Sequence, residues 1–227
     1  MKLYITRHGQ VGSNAEYIGG NATLPRGEMP LSPLGRDQAT LLGKYLVQQN
    51  FHGTILSSPF WRTMETAELI AAETGSAILP TPWIHEIMGD WDWTRVYQGT
   101  PLEKLRQWYP HIAADAVLES PWWAVKTETG ADVDKRVGAG LDSLINQYRD
   151  ADEAFLLVGH GASIGAVYRC LNLDDGGFLW NCSLGLYDTK DPRRNFSKDV
   201  SFLPIHMITN NKVFATDVSF YENQSTT

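Results

Sequence analysis

The chain has 227 residues, 43% of them apolar, and a formal net charge of −7. That length favours one domain with an elaboration over two independent units, and the apolar fraction is enough for a substantial core. The acidic balance argues against a nucleic-acid surface, which needs a basic stripe. A small anion held by a local arginine cluster remains open. Cys170 and Cys182 are the only cysteines, so no disulfide framework is implied and a reducing, cytoplasmic setting is expected. The first residues lack a long apolar signal core, and nothing reads as a membrane span.

Taken in chain order, the pattern alternates short apolar strands with helical stretches, as βαβ units do. Residues 2–7 predict a first strand. Ser32-Pro33 opens a helix, since serine caps and proline fits the first turn, and the helix continues through Gln38, Leu41, Leu42, Tyr45 and Leu46. Thr54-Ile55-Leu56-Ser57 predicts a strand. Ser58-Pro59 opens a second helix by the same device, running to about Thr74 with Gly75 as its stop. Ala77-Ile78-Leu79 is a further short strand. Residues 83–130 are irregular and tryptophan-rich, with a helical patch near 101–109. Ala131 to Tyr148 reads as an amphipathic helix, 155–159 as a strand and 162–171 as a helix. Leu184-Gly185-Leu186-Tyr187 and Val200–Ile208 read as final strands, with a polar tail from Tyr221. An added edge strand pair is expected within 188–227. The fold class is α/β: a three-layer α/β/α sandwich with a mostly parallel central sheet and a Trp-rich cap segment at about 83–130.

Two of these strands end alike. Residues 2–6 run into Arg7-His8-Gly9, and 155–159 run into His160-Gly161. Ligands in open α/β sheets sit beyond the carboxyl ends of the strands. Two such ends would bring His8 and His160 to one rim, with Arg7 beside them and Arg62 one turn into the helix that follows another strand. Singly, each has a plainer reading: a surface loop histidine, a solvated helix arginine, a histidine cap. Jointly they make a cation-rich rim with a nucleophile, suited to a phosphate group.

Four motifs occur here in a familiar order. They are Thr6-Arg7-His8-Gly9 with Asn14; Leu31-Ser32-Pro33-Leu34-Gly35 with Gln38-Ala39; Ser57-Ser58-Pro59 with Arg62 and Thr66-Ala67; and Val158-Gly159-His160-Gly161. In this order the chain resembles the histidine phosphatase superfamily, in its phosphoglycerate-mutase-like branch, over roughly residues 3 to 187. The resemblance implies that His8 is a nucleophile that becomes a phosphohistidine. It implies a catalytic His160 and a phosphate pocket with Arg7, Asn14, Arg62 and Gly161. The chemistry agrees. A neutral imidazole is a competent nucleophile near pH 7, and guanidinium forks stabilise the charge spread over the phosphoryl oxygens. Gly9 and Gly161 are expected to allow close backbone approach. No cofactor or metal is expected, and no His-x-x-x-His pair occurs among the six scattered histidines.

A leaving alkoxide needs a proton. In the family a glutamate four residues before a glycine supplies it, in a Glu-x-x-x-Gly-x-Trp pattern. Here Glu86 stands three residues before Gly89, one residue short. Glu86 is the expected general acid, with Asp90 and Asp92 as substitutes. Gln10-Val11 also departs from the acidic-then-hydroxyl pair often found after Arg-His-Gly.

Trp83, Trp91, Trp93, Trp108, Trp122 and Trp123 cluster between residues 83 and 123. Most are expected to form a satellite core, with Trp91 or Trp122 as candidates for the pocket mouth. The expected activity is metal-independent hydrolysis of a small phosphorylated metabolite. Phosphoglycerate mutase-type transfer and a non-catalytic phosphate-binding role are the alternatives. The family mutases carry added arginines after the acid glutamate, whereas residues 87–130 hold Arg95, Lys104, Arg106 and Lys126 with no adjacent arginine pair.

Overall fold

The computed structural model describes residues 1–12, 27–173 and 180–191, apart from the side chains of Asp92 and Trp93, and the backbone of 206–209 and 212–215. Asn14, residues 200–205 and the tail from Tyr221 lie outside the described residues. A five-stranded sheet is formed by β1 (Lys2–Arg7), β2 (Thr54–Ser57), β3 (Ile78–Pro80), β4 (Ala154–Gly159) and β5 (Leu184–Asp188), in the order β3-β2-β4-β1-β5. The first four are mutually parallel and β5 runs antiparallel on the edge beside β1.

The strand side chains sort to the two faces by alternation. Tyr4, Ile55, Leu156 and Val158 point to one core. That core is covered by α1 (Pro33–Gln48) through Leu42 and Leu46, and by α2 (Trp61–Thr74) through Met64, Ala67 and Ile70. Leu3, Ile5, Leu56, Phe155 and Leu157 point the other way. There α5 (Gly130–Tyr148) presents Val133, Val137, Leu141 and Ile145, a four-residue spacing that keeps one face inward, and α6 (Gly161–Cys170) adds Ile164 and Val167. Both faces of the sheet are thus buried, which is why its strands read as continuous apolar runs.

The expected helix starts hold in one case and shift in the other. Ser32 caps α1, its hydroxyl accepting from the Gly35 amide at 3.0 Å, with Pro33 in the first position. Ser58-Pro59 does not open α2. That helix begins at Trp61, after an N-cap, Phe60, that supplies no side-chain bond. Its first amide is taken instead by a distant carboxylate, Glu28, at 2.8 Å.

Between β3 and α5 run a 3-10 turn (Pro82–Ile84), α3 (Asp92–Val96) and α4 (Leu102–Trp108). Phe60, Met88, Tyr97 and Trp122 form a satellite core there, with Phe60 stacked on Tyr97 at 4.5 Å and Trp122 edge-on to both. Trp83 packs against the second main core, while Trp91 and Trp108 are 47% and 41% exposed. The late strand pair is found as β6 (His206–Thr209) and β7 (Lys212–Ala215). Its two strands pair with each other as a separate sheet, rather than extending the edge of the central one.

Candidate active site

Register builds the site. β1 and β4 are adjacent, with Arg7 opposite Gly159, so His8 and His160 leave neighbouring parallel strands at the same level. Their ring centroids are 5.3 Å apart. β2 lies on the far side of β4 with Ser57 opposite Val158, which carries Ser58 and the start of α2 to the same rim.

The backbone around His8 is pinned on several sides. Its amide donates to the Gly159 carbonyl at 3.0 Å, and Asn181 Nδ2 donates to its carbonyl at 2.7 Å. The Gly9 amide donates to Thr66 Oγ1 at 3.1 Å. A Cβ at Gly9 would lie 2.4 Å from the Gly35 carbonyl oxygen, so only glycine fits where the β1 exit crosses the start of α1. At Gly161 a Cβ would meet no described protein atom within 4 Å. Gly161 is the first residue of α6 and faces no steric demand from the chain.

His8 Nδ1 lies 2.7 Å from the Gly9 carbonyl oxygen. A carbonyl only accepts, so Nδ1 carries the proton and Nε2 keeps its lone pair. Burial drives the His8 pKa well below its ordinary value, and the Arg62 and Arg7 charges push it the same way. The ring is therefore neutral at pH 7. His160 is shifted likewise, by burial first and Arg62 second. Its Nε2 stands 2.8 Å from Ser58 Oγ. That contact gives Ser58 a different role from the helix cap expected of it.

Arg62 is almost wholly buried, its guanidinium 4.6 Å above the Phe60 ring. Arg62 Nη1 and His160 Nδ1 are buried without hydrogen-bond partners among the described residues. Buried polar groups are rarely left so, and an anion would satisfy both. Arg7, His8, Arg62 and Glu86 line one cavity of about 550 Å³, together with Val11, Met29, Ile87, Trp91 and Ala162. Trp122 is buried in the satellite core and is not on that wall. Asp90, the alternative acid, is exposed and paired with Arg95 at 2.6 Å.

Two features were not legible in the sequence. The first is Glu28, a carboxylate only 3% exposed. Oε2 accepts from the Trp61 amide at 2.8 Å, and Oε1 accepts from the Tyr97 and Thr100 hydroxyls at 2.8 and 3.2 Å. Burial raises its pKa, opposed by those bonds and by Arg62. Glu28 thus ties the first turn of α2, which bears Arg62, to the tryptophan-rich segment. The second is the brace under Glu86. His85 Nδ1 donates to the Glu86 carbonyl at 2.5 Å and its Nε2 accepts from the Ala124 amide at 3.2 Å. Arg136 donates to the carbonyls of Trp83 and His85 and is held by both oxygens of Glu128.

Among the described residues, no group of three or more His, Cys, Asp or Glu side chains is placed to hold a metal, and no helix is long and apolar enough to cross a membrane.

Comparison with known proteins gives the family. The model of the histidine phosphatase superfamily (branch 1) matches residues 3–191. The chain belongs to that superfamily. Among curated relatives, the probable phosphoglycerate mutase GpmB of Yersinia enterocolitica is 27% identical over 198 residues, covering 84% of this chain and 86% of its own. Among solved structures, the ecdysone phosphate phosphatase of Bombix mori, in complex with tungstate, superposes with a TM-score of 0.67 at 18% identity, covering 97% of this chain and 99% of its own. A mycobacterial glucosyl-3-phosphoglycerate phosphatase gives a TM-score of 0.53 at 23% identity, covering 86% and 94%. The two structures share the fold with this superfamily member.

Proposed function

We propose that the protein hydrolyses phosphomonoesters through a phosphohistidine on His8. The observation that carries this reading is the His8 Nδ1 contact with the Gly9 carbonyl, which leaves a neutral Nε2 lone pair in a cavity shared with Arg7, Arg62 and Glu86. In the first step Nε2 attacks phosphorus and the bond to the ester oxygen breaks. The electron pair stays on that oxygen, which takes a proton from the Glu86 carboxyl. The phosphoryl oxygens sit among Arg7, Arg62 and His160, whose fixed positive and donor groups stabilise charge as it redistributes. Gly161 contributes its place at the start of α6, and Asn14 is carried as a further phosphate contact from its motif. In the second step water attacks phosphorus and gives a proton to Glu86. The P–N bond breaks and its electron pair returns to Nε2, leaving inorganic phosphate.

The relatives named phosphoglycerate mutase keep the mutase reading in play. Two observations favour water as acceptor. Met29 and Trp91 on the cavity wall are 40% and 47% exposed, so solvent reaches the site. The cap arginines are also engaged elsewhere: Arg95 holds Asp90, and Arg106 donates to the carbonyls of Ala113, Ala114 and Ala116.

The test is release of inorganic phosphate from phenyl phosphate by wild type and His8→Ala, with acid-labile, alkali-stable phosphoprotein trapped by rapid quench. Turnover and trapped label are expected in wild type only. Equal turnover by His8→Ala would end the reading. Conversion of 3-phosphoglycerate to its 2-isomer, faster than phosphate release, would favour the mutase.

A further inference from the structure

The proton donor marks the side of the cavity on which the alcohol leaves, and the described residues beside it present mostly carbon. Glu86 and Ile87 are consecutive, and Trp91 follows on the same loop; all three line the cavity. Val11, from the segment after β1, and Met29, from the segment before α1, line it too, with Ala162. Among the described lining residues the cations are Arg7 and Arg62, which the mechanism uses for the phosphoryl group. Met29 and Trp91 are large apolar side chains left 40% and 47% exposed, where a folded chain gains by covering them. The brace of Arg136 and Glu128 behind His85 fixes the loop that presents Ile87, so that part of the wall is preformed.

From this arrangement we infer that the substrate is the phosphomonoester of an apolar alcohol, alkyl or aromatic, whose carbon chain lies against Ile87, Trp91, Met29 and Val11. The inference rests on the hydrolytic reading and names the substrate class of the same site. A polyol in that place would set its hydroxyls against the carbon of Val11, Met29, Ile87 and Trp91, whereas a hydrocarbon would lose only water. A cavity of about 550 Å³ is of the size that holds a whole small organic ligand rather than a phosphate alone.

The experiment compares kcat/KM for hexyl phosphate and glycerol 3-phosphate, two primary alkyl esters, with phenyl phosphate and His8→Ala as controls for turnover itself. Each methylene fully removed from water is worth about fourfold. With part of the hexyl chain covered, a preference for hexyl over glycerol phosphate of about tenfold or more is expected. In Trp91→Ala, and separately in Met29→Gln, this ratio falls severalfold, mainly through KM for the hexyl ester. A ratio is insensitive to the fraction of folded enzyme. His8-dependent hydrolysis of phenyl phosphate with a hexyl-to-glycerol ratio near or below one would overturn the substrate class and leave hydrolysis standing. A high ratio untouched by both substitutions would overturn the assignment of the wall. Absence of His8-dependent hydrolysis of every ester would overturn the hydrolytic reading and this inference with it.

Discussion

Lowering the pH from 7 to 4 titrates the brace under Glu86. His85 is 2% exposed, and burial, with the Arg136 charge second, lowers its pKa from 6.5 to about 4. The Glu86 carbonyl bond and Glu128 oppose this without reversing it. An unfolded chain takes up the His85 proton near pH 6.5; the folded chain resists until about pH 4. Between those values the unfolded state binds more protons, so stability is fully present above 6.5 and is lost as the pH falls through the window. At about 1.4 kcal/mol per pH unit, the gap amounts to about 3 kcal/mol. Urea unfolding of wild type and His85→Gln at pH 7 and pH 4 isolates this contribution, because other titrating groups cancel in the difference. The stability advantage of wild type is expected to shrink by about 3 kcal/mol at the lower pH. A difference that stays constant over that range would refute a buried, neutral His85.

Other perturbations separate the parts of the site. Glu86→Gln should slow hydrolysis of alkyl phosphates by about a hundredfold or more and of 4-nitrophenyl phosphate by much less, since a good leaving group needs little protonation. Equal losses in steady-state kinetics would argue that Glu86 is not the acid. Arg62→Lys keeps charge but loses the fork, and should lower kcat/KM for phenyl phosphate by about a hundredfold, with weaker inhibition by inorganic phosphate. Glu28→Leu strips an acceptor from the Trp61 amide and two hydroxyls and should cost about 3 kcal/mol in urea unfolding. Glu28→Gln should cost far less, because its oxygen can keep the amide while its NH2 donates to the hydroxyls. Gly9→Ala drives a carbon into the Gly35 carbonyl and should lose about 2 kcal/mol by the same measurement.

The residues legible in the sequence are those whose role is local. Ser32 caps the helix it precedes, and the strand-to-histidine transitions at His8 and His160 are written in adjacent residues. The alternation of Leu3, Tyr4 and Ile5 between two cores follows from the two-residue period alone. Ser58 misled because its motif imitates that of Ser32; its hydroxyl is drawn to His160, 102 positions away. Glu28 was invisible for the same reason. Its partners lie 33, 69 and 72 positions along the chain, and no local pattern announces a contact made only by folding. Gly161 shows the converse: the His-Gly pairs look equivalent on paper, yet only Gly9 is crowded.

The pairing of Arg7 with Gly159 also governs when the protein becomes functional. The chain between those two residues contains α1, α2 and α5, so the two imidazoles meet only after a long loop has closed. Helices can regain their circular dichroism before that closure. Recovered turnover during renaturation is therefore expected to be a late clock, one that reads the β1–β4 pairing and not merely the return of secondary structure.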